Sequence, residues 1–455
     1  MGSVTNTAVP ANAMSLFASR RASLLARLGD DTVAVIPGAR MTIRNSDVEH
    51  DFRQDSTFFY LTGFDEPDSL LVLRAGADAE ATLFVRPRDK AMETWTGRRA
   101  GVAGAVETFG MDAAFPIDQL DKELPRLFEG ASRVAFTLGQ DSAVQASVLK
   151  AAQRHRTSPR LTVLGPDTLV DLRAFIHDLR LIKLPAEIAA LRRAAKVTAE
   201  GHHEAMRSSA PGVWEYELQA ALEYTFRAAG AARVGYSSIV AGGDNATILH
   251  YNTNRMQLPK DGLVRIDAGA EVEYLTADVT RTFPANGYFS PEQRAVYEVV
   301  LAAEEASIAA CVPGTAYEET HHIAVRVLVE GMVDLGLLKG EVDELISTEA
   351  YKRYYMHRTG HWLGMDVHDV GLYSAAGNSR LLEAGMVTTI EPRIYIDFDD
   401  EEAPEAFRGI GVRIEDDILI TADAPDIMTI DCVKSVADVE AMIRDSPRWV
   451  RRVTL

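Results

Sequence analysis

Four acidic residues sit inside runs of sequence that otherwise read as buried β-strand, so any fold of this chain must neutralise four charges. Asp267 ends LVRIDAGA and Asp278 lies in TADVTRTFP; Glu391 follows Ile390 in MVTTIEPRIYI, and Glu415 follows Ile414 in GVRIEDDILI. Carboxylates are seldom fully buried unless they are paired or bound to a cation. A turn centred between Val272 and Glu273 sets Asp267 directly opposite Asp278, and cross-strand partners have Cβ atoms about 5 Å apart on one face. Two carboxylates that close ionise together only at high cost unless a cation lies between them. Taken singly, each acid has an ordinary account as well. The aspartates suit a hairpin exposed to solvent. Glu415 suits a salt bridge to an arginine such as Arg413, which shares its face because residues two apart on a strand do.

The histidines narrow the choice. His357, His361 and His368 fall in MHRTGHWLGMDVHD, the densest grouping of the 11 in the chain. Gly360 and Gly364 argue against a helix there, so the segment reads as an irregular loop or strand that delivers side chains into a cleft. One buried histidine is unremarkable in a core; three together point to ligation, because neutral imidazole is a common metal ligand. Asp267, Asp278, His361, Glu391 and Glu415 then make a set whose four negative charges balance two divalent cations. Oxygen-rich ligation with a single imidazole favours Mn2+, with Co2+, Zn2+ or Fe2+ as alternatives. Dinuclear sites, with metals roughly 3.5–4 Å apart, generate a nucleophile from water near neutral pH.

The rest of the 455-residue chain divides once, near 178–186. Residues 1–14 are polar and are expected to form a disordered tail, with no secretory pattern. An amphipathic helix over 15–30 is followed by short strands at TVAVIPG, SLLVLRAG, ATLFVRP and RVAFTLG and a helix spanning 146–152. This alternation predicts an α/β domain over 15–178. An α+β domain is expected over 179–448, with long helices after Pro185 and Trp214, two more at 291–310 and 317–337, and strand pairs early and late. A net charge of −19, from 47 basic and 66 acidic residues, disfavours nucleic acid and anionic lipid as partners. No apolar run is long enough to span a bilayer. Cys311 and Cys432 form no CxxC pair, which fits a reducing, cytoplasmic setting.

The order Asp267, Asp278, His361, Glu391, Glu415 resembles the metal set of the pita-bread metallopeptidases. The blocks IDAG…ADVTRTFP, GHWLGMDVHD and GVRIEDD are similar to the proline-directed branch, and RNSDVEHDFRQDSTFFYLTGFDEPDSLLVL with WTGRRAG resembles the N-terminal domain of the aminopeptidase P family. The resemblance spans about residues 40–448. It implies a pita-bread (creatinase/aminopeptidase-like) catalytic domain and removal of the N-terminal residue from peptides with proline second, by a hydroxide on a dinuclear metal centre. It implies that Asp267 chelates one metal, that Asp278 and Glu415 bridge, and that His361 and Glu391 bind the other, Glu391 also shuttling a proton. His250 and His368 would steady the scissile carbonyl, His357 would line the proline pocket, and Tyr395 and Arg413 would order the site from behind. A homo-oligomer, dimer or tetramer, is implied, in whose tetrameric form a residue like Trp95 reaches a neighbouring subunit. Prolidase, which cleaves only dipeptides, is the alternative; the short acidic link DFDDEEAPEAFR argues against it. One position departs from the pattern: Arg393 stands where the family usually has glycine, and it is expected to point outward.

Overall fold

The computed structural model describes residues 11–78, 80–157 and 164–445, and the chain separates into two compact units between Leu179 and Arg180. The first helix begins at Ala11 and runs to Leu28, so residues 11–14 are helical rather than part of a tail; residues 1–10 of that expected tail lie outside the described residues.

The N-terminal unit is built on a six-stranded mixed sheet. Its order is Ala113–Pro116, Ala81–Val85, Leu70–Arg74, Thr32–Pro37, Arg133–Ala135, Thr168–Val170. The central strands Thr32–Pro37 and Leu70–Arg74 pair antiparallel and read as nearly continuous apolar runs, as a sheet covered on both faces requires. Phe84, Leu124, Phe128, Val134 and Val148 pack the core with them. Trp95, on the short helix Lys90–Thr96, is 85% exposed.

The C-terminal unit has two halves of like construction. In the first, helices Pro185–Ser208 and Glu215–Ala228 pack through Met206, Leu218, Leu222 and Phe226 onto Val240, Val264, Ile266 and Phe283 of the sheet Ile239–Gly242, Leu263–Asp267, Thr280–Pro284. In the second, helices Pro291–Ala309 and Tyr317–Asp334 pack through Val296, Val300, Leu328 and Met332 onto Ile394, Val412 and Ile414. Ser290 caps the third of these helices by accepting the Gln293 N–H at 3.2 Å, with Pro291 in the first turn. Each half thus presents an antiparallel strand pair, and each pair carries two of the four acids.

Both pairs are interrupted where the acids stand. Asp267 faces Thr280, not Asp278, because the turn falls at Glu273 and Tyr274. Both of these residues have positive φ, 53° and 67°, the signature of a hairpin turn twisted to match its strands. Asp278 is therefore the diagonal neighbour of Asp267 on the same face, still within reach of it. Opposite Asp278 the ladder passes Gly269, where an added Cβ would lie 1.6 Å from the Ala277 carbonyl oxygen. In the second half, Val387–Ile390 pairs with Asp416–Leu419 and Arg393–Tyr395 with Gly411–Arg413 in one register, which sets Glu391 opposite Glu415. Both glutamates lie in the gap between the two ladders rather than within a strand.

Candidate metal centre

The two strand pairs bring Asp267, Asp278, Glu391 and Glu415 to one cavity of about 440 Å3, with His250, His357, His361, His368 and Arg413 also in its wall. Asp267, Asp278 and Glu415 are buried; Glu391 and His361 are half-buried on the cavity side. Ligand-type atoms of Asp278, His361 and Glu415 lie within 4.8 Å of one another. His361 Nε2 is 3.4 Å from Asp278 Oδ2 and 3.9 Å from Glu391 Oε1.

His361 reaches this position because residues 360–363 lie flush on the strand Val387–Ile390. Thr389 N–H donates to the His361 carbonyl at 2.9 Å, Leu363 N–H to that of Val387 at 3.0 Å, and a Cβ on Gly360 would meet the Thr389 carbonyl oxygen at 1.9 Å. His361 Nδ1 lies 3.1 Å from the Trp362 carbonyl. A proton on Nδ1 there leaves the Nε2 lone pair facing the acids, the arrangement that orients a histidine ligand.

The acids of the cluster raise one another's proton affinity. Burial and the neighbouring acids push Glu415 well above the ordinary carboxylate range, and burial lifts Asp267 and brings Glu391 up to about 7. Burial works against a charged His361, yet hydrogen bonding and attraction to Asp278 prevail and raise it to about 9, while Asp278 is held low by the same contact. Arg413, bonded through Nη2 to Asp267, is the one arginine in the cavity wall that pairs with these acids. The donor set, crowded carboxylates with one imidazole turned lone pair inward, therefore fits divalent cations: bound cations remove the repulsion that protons otherwise relieve.

A second layer holds these groups. Tyr236 Oη donates to Asp267 Oδ1 at 2.7 Å and also contacts Asp278 Oδ1. Arg413 Nε donates to Thr280 Oγ1 at 3.0 Å, and Thr280 Oγ1 in turn donates to Glu415 Oε2 at 2.6 Å. Asp417 accepts the Asp278 backbone N–H at 3.2 Å, and Asp416 pairs with Arg281 at 2.7 Å and with Lys434 at 2.6 Å. Sequence reasoning missed Tyr236, Thr280, Arg281, Asp416 and Asp417. The run of acids in IEDD was the visible signal for the last two; a lone tyrosine in GYSS offered none.

The other expected site residues divide by position. His250, His357 and His368 line the cavity; the His361 and His368 rings are 4.3 Å apart, edge to face, and His357 Nε2 is 3.6 Å from Glu391 Oε2. Tyr395 stands behind, its hydroxyl accepting from Arg413 Nη1 at 2.8 Å and from Arg265. Arg393 is fully buried rather than turned outward. Its guanidinium lies 4.5 Å from the Tyr395 ring centroid, Nη2 meets the Met356 sulfur at 2.8 Å, and Nε and Nη1 have no hydrogen-bond acceptor. An aromatic face and a thioether hide the charge without a carboxylate.

Comparison with known proteins identifies the family. Residues 189–422 match the model of metallopeptidase family M24, and residues 17–136 that of the aminopeptidase P N-terminal domain. The chain is 41% identical over 429 residues to a Xaa-Pro aminopeptidase of Escherichia coli (strain K12), covering 94% of this chain and 97% of that one. It is 38% identical to Xaa-Pro aminopeptidase 3 of Homo sapiens, covering 90% and 80%. Among solved structures it superposes on Pseudomonas aeruginosa aminopeptidase PepP with a TM-score of 0.93 at 47% identity, covering 94% and 98%. It superposes on proline aminopeptidase P II from Yersinia pestis with a TM-score of 0.91 at 41% identity, covering 94% and 99%.

Proposed function

The chain belongs to metallopeptidase family M24 and to its aminopeptidase P branch, and from that premise we propose that it removes the N-terminal residue from peptides with proline in second position, using two divalent cations held by Asp267, Asp278, His361, Glu391 and Glu415. The observation that carries this reading is the convergence of four carboxylates and one imidazole, from four separate segments, on a cavity wall whose one arginine paired with them is Arg413. Mn2+ suits this oxygen-rich set best, with Co2+, Zn2+ or Fe2+ as substitutes. Bound cations supply Lewis acidity toward the scissile carbonyl and an activated water near neutral pH.

The chain's own residues do the rest. An X–Pro bond is a tertiary amide, so its nitrogen carries no hydrogen and must be protonated to leave. Glu391, in the cavity wall 3.9 Å from His361 Nε2, is suited to take a proton and return it to that nitrogen. His250 and His368, on the cavity wall, are placed to hold the carbonyl oxygen as negative charge develops there. His357 lines the space for the proline ring, while Arg413 and Tyr395 fix the orientation of Asp267 from behind.

Among the described residues no helix is long and apolar enough to cross a membrane, and Cys311 and Cys432 are buried and unpaired; both suit action in the cytoplasm on soluble peptides. Assembly into a dimer or tetramer would cover the exposed Trp95, and sedimentation of the wild type and Trp95→Ala would show it as a shift in mass. The activity is tested by incubating the Mn2+-loaded protein with Xaa-Pro, Xaa-Pro-Yaa and Xaa-Ala-Yaa peptides. Cleavage of Xaa-Pro-Yaa, abolished by chelator, is expected. Cleavage of the dipeptide alone would replace this reading with a dipeptidase.

A further inference from the structure

His250 reaches the metal-site cavity from an irregular segment that follows the short 3-10 turn Gly243–Thr247. No backbone ladder fixes such a segment, so side chains must. We propose that Glu215 is a positioning residue for the reaction, its buried carboxylate clamping this segment on both sides of His250 and so aiming the imidazole at the scissile carbonyl. The proposal rests on the role given to His250 above.

Three observations support it. The first is the bonding of Glu215, which opens the helix Glu215–Ala228 and is fully buried. Its Oε1 accepts the Gly242 N–H at 2.8 Å and Asn245 Nδ2 at 2.9 Å, and its Oε2 accepts the Tyr251 hydroxyl at 2.8 Å and the Met256 N–H at 2.9 Å. Two of these donors precede His250 in the chain and two follow it. Hydrogen bonds to a charged acceptor are the stronger kind, and none of the four donors is a cation. The charge is favoured instead by its place in the first turn of the helix, where free backbone N–H groups gather. The second is a further hold on the same segment. Arg265, fully buried, donates to the Leu249 carbonyl at 3.2 Å and to that of Ile248, the two peptide units just before His250. Beyond His250, Asn254 turns the chain at a φ of 49°, accepts the Val240 N–H at 3.0 Å and donates to the Ser238 carbonyl at 2.8 Å. The third concerns the ring itself. Among the described residues no hydrogen bond holds the His250 imidazole, so its direction is set by the backbone on either side. A reacting group misplaced by about 1 Å loses on the order of 10²-fold in rate.

The amide of Glu215→Gln turns a donor toward one pair of these donors, and Tyr251→Phe removes a single donor. The test measures kcat and KM for Ala-Pro-Ala with the Mn2+-loaded full chain, these two variants, His250→Ala and the two double variants, following single turnovers where rates are low. Glu215→Gln is expected to lower kcat about tenfold and Tyr251→Phe about fivefold, with KM nearly unchanged and manganese retained. In the His250→Ala background neither is expected to cost more than about twofold, because the group that the clamp aims is gone. A loss of equal size with and without His250 overturns the proposal, since a general structural role would weaken both backgrounds alike. Unchanged rates in both single variants, or a loss confined to KM, overturn it too. If Glu215→Gln fails to fold, Tyr251→Phe decides by the same comparison. Full activity of His250→Ala overturns the role given to His250 and the clamp with it. Failure of the Mn2+-loaded wild type to cleave the peptide overturns the peptidase reading itself.

Discussion

Arg393 and Arg413 face each other across the strands Arg393–Tyr395 and Gly411–Arg413, yet they meet different fates. Arg413 is neutralised by Asp267, whereas Arg393 rests on Tyr395 and Met356 with two of its guanidinium nitrogens lacking a hydrogen-bond acceptor. Charge alone suggested that Arg393 turns outward. In the structure Arg393 shares a face with Tyr395, as residues two apart on a strand do, and is buried. A buried cation this near Glu391, whose charge it feels, opposes the entry of further positive charge. Arg393→Met is therefore expected to tighten Mn2+ binding by about 1 kcal/mol, roughly fivefold, as read by calorimetric titration; an unchanged or weaker affinity would place its field outside the site. The four acids that the structure brings to the cavity stood out in the sequence because acids in apolar runs are rare, and His361 because it lies in the densest group of histidines. Tyr236 was not, since nothing in its local sequence marks a phenol that bridges two aspartates.

At the scale of elements, the strands and long helices were readable but the registers were not. Glu273 and Tyr274 occupy the positive-φ turn without the glycine or asparagine that usually announces one, so the hairpin centre was misplaced by a residue and the facing partner of Asp267 by two. The loop that ends at His368 is tied down by contacts the sequence separates widely. Arg180 donates to Asp366 at 2.8 Å and to Asp369 at 2.5 Å, and Lys183 to Asp369 at 3.2 Å; the side chains of Arg180, Lys183 and Asp369 are almost wholly buried. Removing one partner of a buried pair costs about 3–5 kcal/mol because the other charge remains. Asp369→Asn is expected to lose stability on that order in denaturant titration and to lower kcat through the neighbouring His368, with metal stoichiometry retained. Unchanged stability would mean that Asp366 alone satisfies both cations.

For the molecule as a whole, the raised acids and His361 link stability to pH and to metal. Glu391 is lifted from 4.5 to about 7 and His361 from 6.5 to about 9. Between these values the folded state holds more protons than the unfolded one, so metal-free stability falls as pH rises. His202, His321 and His357, lowered by burial to about 3, 4 and 2, act in the opposite sense only below pH 6.5, where their unfolded forms take up protons. The expected result is a melting temperature of metal-free protein that declines from pH 6.5 to 9 and is restored by Mn2+, whose affinity rises over the same interval as its ligands shed protons. A melting temperature that climbs with pH in the absence of metal would show that other groups dominate. The central question is whether the five side chains hold two cations. Anomalous diffraction from crystals soaked in Mn2+ measures this directly. Two peaks enclosed by Asp267, Asp278, His361, Glu391 and Glu415 are expected; an empty cluster, or manganese bound only elsewhere, would contradict it.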